Sequence, residues 1–216
     1  MRRATLARMS LVLHVEPRWI SPYVFACFVT LTEKGLAFEA RELDAARAET
    51  RDADYLAATI TGRVPSLVHD GFGLAESSAI VEYLEEAFPE VPVLPRDLRD
   101  RARARQLMSW LRSDDTAPIR AERPSASIFH APATSPLSAE AKSAAEKLCA
   151  VATRLLDGGR GTIFERWSIV DAELAFMLQR LLSSGDPVPG PIARWAGAQW
   201  ERPSVQAFVR RDRPLR

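Results

Sequence analysis

The chain has 216 residues, of which 47% are hydrophobic and 26% charged, a composition typical of a globular protein with one large domain or two small ones. Its 29 basic and 28 acidic residues leave a net charge of +1, so it lacks the basic excess that nucleic-acid binding draws on. The longest apolar runs fall well short of the ~18 residues that a membrane helix needs, and we therefore expect neither a nucleic-acid partner nor a membrane span.

The first strand and the first helix are predicted from adjoining segments. Residues 10–15 (SLVLHV) form a short apolar run that predicts a buried strand. Pro22 suits the first position of a helix over 23–34, which ends at Gly35. The basic residues 1–9 lead into no apolar stretch, and we interpret them as the start of the chain and not as a signal peptide.

Period-two alternation, an Asp70-Gly71 turn and a helix with one apolar face predict the next elements. In chain order these are a strand over 37–43, a short helix over 52–58, strands over 66–69 and 72–75, and a helix from Ser77. A helix between the first two strands makes them parallel, and a tight turn makes the last two antiparallel. The order β-α-β-α-β-β-α predicts a thioredoxin-like domain over residues 10–90.

The second part of the chain is predicted to be all-helical. Three prolines interrupt the pattern, and we expect a domain linker over residues 91–96. No strand signal follows, so residues 97–216 predict a helical-bundle domain. The expected helices are a long one from Leu98 through Trp110 and beyond, and others over 137–156, 168–183, 191–200 and 204–210.

The cysteines and histidines carry no sign of metal or redox chemistry. Cys27 and Cys149 lie in apolar helical patterns, which predicts buried, reduced thiols. The chain has no C-x-x-C motif, and His14, His69 and His130 lack the spacing of metal ligands. We therefore expect no metal site.

A first candidate site is Ser21-Pro22-Tyr23, between the first strand and the first helix. Ligands of α/β sheets bind beyond the carboxyl ends of the strands, where a helix N-terminus offers free N–H groups and a positive dipole end. A thiolate would be stabilised there, and a hydroxyl would add a hydrogen bond to it. We interpret Ser21 as the donor to a bound sulfur and Tyr23 as the second candidate. The alternative is that Ser21 only caps the helix.

Two further candidate sites follow along the chain. In Val64-Pro65, after Arg63, a cis peptide bond would cost only about 0.5–1 kcal/mol and would present the Val64 backbone to an extended peptide; the alternative is an ordinary Val-Pro before a strand. Ser77 is expected to be the N-cap of its helix and to bind an anion there, while Glu76 binds a cation. Together they suit the carboxylate and amino groups of an amino-acid-like ligand, although a capped helix with a solvated Glu76 is the alternative.

The order of these three sites on a thioredoxin-like pattern resembles the glutathione transferases. The stretch RVPSLVHDGFGLAESSAIVEYLEEAFPE is very similar to their N-terminal signature, and WISPYVFACFVTLTEKGLAFE and FERWSIVDAELAFMLQRLL look like the bacterial YfcF-type members. The resemblance implies that Ser21 activates the glutathione thiol and that the Arg63-Val64-Pro65 segment binds glutathione, with the Val64 backbone pairing with its cysteine. It also implies that Glu76 and Ser77 hold the γ-glutamyl end.

The same resemblance implies a function and a setting. Glutathione would be the co-substrate of a metal-free transferase that attacks a small electrophile or reduces a hydroperoxide. A homodimer in the cytoplasm is expected. The alternatives are a glutathione-dependent isomerase and a non-catalytic member of the family that binds a ligand or a protein.

Some residues of the helical part are also singled out. Arg112 and Arg120, with Trp19 from the turn before Ser21, are candidates for the second-substrate pocket, although helical ion pairs explain the arginines nearly as well. Ser168 and Asp171 look like the capping box of the family. We interpret that box as part of folding and not of catalysis.

Overall fold

The computed structural model describes residues 10–44 and 49–213, so the start segment 1–9 lies outside the described residues. Its strands are β1 (Leu11–Val15), β2 (Glu39–Glu42), β3 (Ser66–His69) and β4 (Phe72–Ala75). They form one sheet in the order β2-β1-β3-β4. β1 is parallel to β2 and antiparallel to β3, and β3 is antiparallel to β4, as the predicted connections require.

The described residues of the first part also form three α-helices, α1 (Pro22–Glu33), α2 (Ala53–Thr59) and α3 (Ser77–Ala87). α1 starts at the predicted proline, and Gly35 follows its end with φ 66°, the left-handed conformation that commonly terminates helices. β2 is shorter than predicted, because only four of its residues pair with β1 at this exposed edge of the sheet.

The described residues of the second part form helices joined by loops, and no strand. Its helices are α4 (Leu98–Arg112), α5 (Ala117–Glu122), α6 (Ala126–Phe129), α7 (Ala139–Leu155), α8 (Ile169–Leu182), α9 (Gly190–Trp200) and α10 (Pro203–Val209). The long first helix does not continue as predicted. It ends before Ser113, whose hydroxyl donates to the backbone oxygen of Trp110 (2.7 Å). The predicted fold class, an α/β domain followed by helices, is confirmed.

The two parts share one core, built on α1 and α8. Residues 24–31 of α1 are buried, and so is nearly all of α8. Phe25 of α1 packs against Phe176 of α8 (4.9 Å between ring centres), Phe208 of α10 (5.3 Å) and Trp200 of α9 (6.1 Å). The helical part therefore fixes the helix that begins next to Ser21.

Ser168 and Asp171 form the expected hydrogen bonds at the start of α8. Asp171 Oδ2 accepts from the backbone N–H of Ser168 (2.8 Å) and from its hydroxyl (3.0 Å). Its Oδ1 accepts from the N–H of Ile163 (2.8 Å), so the carboxylate also anchors the preceding loop. Asp171 is fully buried, and burial raises its pKa although these hydrogen bonds oppose the shift.

Replacing Asp171 with alanine should lower the free energy of unfolding by about 2–4 kcal/mol, because two backbone N–H groups would be buried without partners. The matched control is Asp97→Ala. Asp97 caps α4 through the same kind of bonds but is exposed, so its loss should cost only about 1 kcal/mol. Urea denaturation of both variants measures the difference. Equal losses would show that the buried bonds at Asp171 add nothing to ordinary capping.

Candidate functional site

A cleft of about 220 Å³ lies where α1, the segment before β3, the start of α3 and α4 meet. Its lining contains every residue predicted to bind glutathione, together with one predicted catalytic residue and one predicted second-substrate residue. The lining residues are Tyr23, Arg63, Val64, Pro65, Glu76, Ser77, Ser78 and Arg112. Segments far apart in the sequence thus meet at a single site.

Ser21 occupies the N-cap position of α1. Its Oγ accepts hydrogen bonds from the backbone N–H groups of Tyr23 (3.2 Å) and Val24 (3.3 Å). A hydroxyl has one proton to donate besides its lone pairs, so Ser21 can cap the helix and still donate to a ligand. Its side chain does not line the 220 Å³ cleft, whereas Tyr23, which is 37% exposed, does.

Glu16 fixes the turn that carries Ser21, a role that sequence reasoning missed. Its Oε1 accepts from the backbone N–H groups of Ile20 (2.6 Å) and Ser21 (2.7 Å). Its Oε2 is buried and has no hydrogen-bond partner within residues 10–44 and 49–213. Burial raises the pKa of Glu16, although the two N–H groups oppose this shift. An acidic residue directly after a buried strand was the only signal in the sequence.

The Val64–Pro65 peptide bond is cis, the conformation that the sequence makes inexpensive. Tyr55 of α2 supports this segment: its hydroxyl donates to the backbone oxygen of Arg63 (2.9 Å) and lies 2.9 Å from Ser66 Oγ. Sequence reasoning did not single out Tyr55, because the contact depends on where α2 packs beside the sheet.

α3 begins at Ser77, as predicted, but its N-cap residue differs from the prediction. Ser77 is the first helical residue, and Glu76 takes the N-cap position without a side-chain capping bond to any described residue. The expectation that Ser77 caps the helix is therefore wrong, because the backbone turns at Glu76. Glu76 has φ 69°, in the left-handed region that residues other than glycine seldom adopt and that often marks functional sites.

A smaller cavity of about 30 Å³ adjoins the cleft and shares Tyr23 and Arg112 with it. Arg112 forms two hydrogen bonds with Glu173 of α8 (2.6 and 2.7 Å), so its ion pair joins two helices and does not run along one. Arg120 of α5 lines this cavity too, so both predicted arginines lie at the site. The remaining lining residues are Pro22, Phe25, Leu111, Phe176, Met177 and Arg180.

Trp19 lines neither cavity, contrary to the prediction for the second-substrate pocket. Its large apolar ring is buried in the core, with 3% of the residue exposed, and Nε1 donates to Glu42 Oε1 (2.8 Å). The guanidinium carbon of Arg211 lies 4.1 Å from the centre of its ring, and Arg213 donates to its backbone oxygen (3.0 Å). Trp19 therefore anchors the turn before Ser21.

The thiols of the chain are not candidates for the chemistry. Cys27 and Cys149 are buried and free, as predicted, and burial raises the pKa of both. Over residues 10–44 and 49–213, no group of three or more His, Cys, Asp and Glu side chains could hold a metal ion. Over the same ranges, no helix has the length and apolar character needed to cross a membrane.

Comparison with known proteins identifies relatives of both parts. Among solved structures, a glutathione transferase homologue from Burkholderia gl BGR1, with bound glutathione, is 41% identical. The match has a TM-score of 0.76 and covers 93% of this chain and 96% of that one.

Curated relatives match over shorter segments. Glutathione S-transferase 1 of Dianthus caryophyllus is 45% identical over 74 residues, 34% of each chain. The probable maleylacetoacetate isomerase of Caenorhabditis elegans is 35% identical over 89 residues, 41% of each chain. The matched segments thus span about a third to two fifths of the length of these relatives.

Family models match nearly all of the described chain. Residues 19–92 match the N-terminal domain of glutathione S-transferases, the part that carries α1, the cis peptide bond and the start of α3. Residues 97–212 match the C-terminal domain, which supplies Arg112 and Arg120. More than half of the chain lies in that second match alone, and the chain belongs to the glutathione S-transferase family.

Proposed function

We propose that this protein binds glutathione in the 220 Å³ cleft and holds its sulfur as a thiolate that attacks a small electrophile or a hydroperoxide. One observation carries the proposal: the Val64-Pro65 segment, the start of α3 and Tyr23 of α1 line the same cavity. The Burkholderia homologue, described with bound glutathione, adds support.

In this proposal the peptide is held at three points. The backbone of Val64 pairs with the cysteine of glutathione, beside Arg63 and Pro65. The Glu76 carboxylate binds the ammonium of the γ-glutamyl end. Ser77 and the N–H groups at the start of α3 bind its carboxylate, since a helix N-terminus favours an anion.

The sulfur lies beside the N-terminus of α1 and accepts a hydrogen bond from Ser21. A free thiol has a pKa near 8.5, and lowering it by about two units requires about 2.7 kcal/mol. A charge-assisted hydrogen bond and the helix end together supply an energy of this size. Glu16 and Trp19 hold the backbone around Ser21, so the donor is in place before glutathione binds.

The test is to measure thiolate formation and turnover together. Mixing the protein with glutathione at neutral pH should produce the ultraviolet band of a thiolate. Conjugation to a neutral electrophile or reduction of cumene hydroperoxide should follow. Glutathione binding without turnover of either class would favour the non-catalytic alternative.

An isomerase remains the second candidate function. The specific observation in its favour is the match to the probable maleylacetoacetate isomerase of Caenorhabditis elegans. A cis-to-trans change in an unsaturated acid that requires glutathione but does not consume it would identify this activity. Net consumption of glutathione with every substrate would exclude it.

Glu76→Ala should weaken glutathione binding about tenfold or more, because a hydrogen bond between charged groups contributes about 1.5–3 kcal/mol. The matched control is Glu86→Ala, which removes an exposed carboxylate near the other end of α3. Titration calorimetry with glutathione measures both dissociation constants. An unchanged constant in Glu76→Ala would contradict the assignment.

The homodimer, the cytoplasmic location and the relation to the YfcF-type group rest on the sequence resemblance and stay predictions. Sedimentation equilibrium tests the first of them. The chain has a mass of 24.0 kDa, and a species of twice this mass is expected.

A further inference from the structure

Arg180 of α8 is a buried cation that has no carboxylate partner among the described residues. Only 2% of the residue is exposed. Its Nη1 donates to the backbone oxygen of Arg123 (2.7 Å) and its Nη2 to Ser125 Oγ (2.9 Å), whereas Nε is buried and has no hydrogen-bond partner in the described part of the chain. Throughout residues 10–44 and 49–213, no carboxylate lies within 4.0 Å of its guanidinium. Burying a charge in this way is unfavourable unless something pairs with it.

Arg120 places a second positive charge in the same 30 Å³ cavity. Its Nη1 donates to three neutral groups, the backbone oxygens of Leu111 (3.2 Å) and Ser113 (3.1 Å) and the hydroxyl of Thr116. It too has no carboxylate within 4.0 Å among the described residues. Burial lowers the pKa of Arg180 to about 10, and the charge of Arg120 acts in the same direction.

The other two charges of the cavity cancel one another. Arg112 and Glu173 form a bidentate pair, with both guanidinium-to-carboxylate contacts at 2.6–2.7 Å. The lining therefore has an uncompensated positive charge at Arg120 and Arg180, and its other walls are apolar, from Phe25, Phe176 and Met177. This combination is suited to an anionic group on a hydrocarbon or aromatic body.

We propose that Arg120 and Arg180 bind a carboxylate of the second substrate, so that the electrophile of this enzyme is an unsaturated or aromatic acid. The inference rests on the proposed function and names the substrate class of that site. The planar guanidinium fork matches a carboxylate, and the small cavity has room for a compact group of this kind.

The shared wall of the two cavities sets the arrangement of the reactants. With the carboxylate in the small cavity, the rest of the acid extends past Tyr23 and Arg112 into the cleft where the sulfur lies. For an α,β-unsaturated ketone, the thiolate forms a bond to the β-carbon and the carbon–carbon π bond breaks. Its electron pair moves to the carbonyl oxygen, and the resulting enolate takes a proton from water.

The test compares para-carboxybenzylideneacetone with its methyl ester, two electrophiles that differ in one negative charge. We expect kcat/KM with glutathione to favour the acid about tenfold or more in the wild type, since hydrogen bonds between charged groups contribute about 1.5–3 kcal/mol. Arg180→Met and Arg120→Met should each abolish most of this preference. A wild type with no preference for the acid, or variants that keep it, would overturn the proposal.

Two controls separate recognition from other effects. Arg103→Gln removes an exposed charge from α4, where the guanidinium donates to Gln106 (2.6 Å), and should leave the preference unchanged. A merely structural role of Arg180, in holding the loop at Arg123, would change the rates of acid and ester by the same factor. Should Arg180→Met fail to fold, the wild-type comparison and Arg120→Met still decide the matter.

Binding of unreactive analogues distinguishes this proposal from the proposed function. The saturated acid should bind at least tenfold tighter than its methyl ester, by calorimetry in the presence of glutathione, and Arg180→Lys should reduce this difference. If that binding is found but no thiolate forms, the proposed function fails and the anion site stands. If a thiolate forms and the ester reacts as well as the acid, the anion site fails and the proposed function stands.

Discussion

Replacing Ser21 with alanine should raise the thiol pKa of bound glutathione by about one to two units and reduce kcat/KM at neutral pH about 10- to 100-fold. The reason is the loss of one hydrogen bond to a charged sulfur, worth about 1.5–3 kcal/mol. The thiolate band followed against pH measures the shift directly. Because the variant's pKa is higher, its activity should recover as the pH rises through the new value.

Matched substitutions separate activation from helix capping, since Ser21 also accepts from two backbone N–H groups of α1. Ser21→Gly removes the hydroxyl but costs only a few tenths of a kcal/mol as an N-cap, so it should lose the thiolate and keep the fold stability. Ser21→Thr should keep both the thiolate and the fold stability, because it retains a hydroxyl. If Tyr23→Phe loses the thiolate while Ser21→Ala keeps it, the donor is Tyr23.

Replacing Glu85 with alanine should lower the free energy of unfolding by about 3–5 kcal/mol, a large share of the total stability of a typical domain. Glu85 and Lys34 form an ion pair of 2.8 Å whose side chains are 3% and 1% exposed. Without Glu85, the Lys34 ammonium stays buried and keeps only the backbone oxygens of Phe88 (2.9 Å) and Val91 (2.8 Å). The N–H of Val93 loses its acceptor as well.

The same helix offers the control for this prediction. Glu82 of α3 pairs with Arg105 of α4 at 2.6 Å, but the side chains are 24% and 46% exposed. Glu82→Ala should change stability by no more than about 1 kcal/mol, since solvent screens the pair. Urea denaturation of the two variants under identical conditions gives the comparison. If Glu85→Ala lowers the free energy of unfolding as little as Glu82→Ala does, burial of the Lys34–Glu85 pair does not make its loss more costly.

The parts of the fold that could be predicted depend on local chemistry. The hairpin strands Ser66–His69 and Phe72–Ala75 have the expected bounds because Asp70 (φ 48°) and Gly71 (φ 89°) adopt the tight turn that their residue types favour. The N-cap of α3 was predicted at Ser77 but lies one residue earlier, at Glu76. A serine is the better cap by type, but the turn at Glu76 is fixed by contacts that local preferences do not contain.

The candidate site was predictable only as far as a motif could indicate it. The residues of the cleft lie in recognisable segments, whereas the contacts of Arg180 join groups 57 and 55 positions apart. Arg180 was not predicted as a site residue although it lines the small cavity, whereas Trp19 was predicted as one and lies in the core. It lies two residues before Ser21, yet its φ of 51° and its packing against Phe28 and Phe208 direct the indole into the core. Residue type and spacing predict neither the position of Arg180 at the small cavity nor that of Trp19 in the core.

The division of the two cavities between the parts of the chain affects how substrate preference changes. The cleft takes most of its lining from the first part, and the small cavity takes most of its lining from α4, α5 and α8. Under the proposed function, mutations in these helices should therefore alter which electrophile is accepted while the residues proposed to activate the thiol stay intact. Tyr23 and Arg112 are the exceptions, because each lines both cavities, so under the same proposal a change there should alter peptide binding and electrophile choice together.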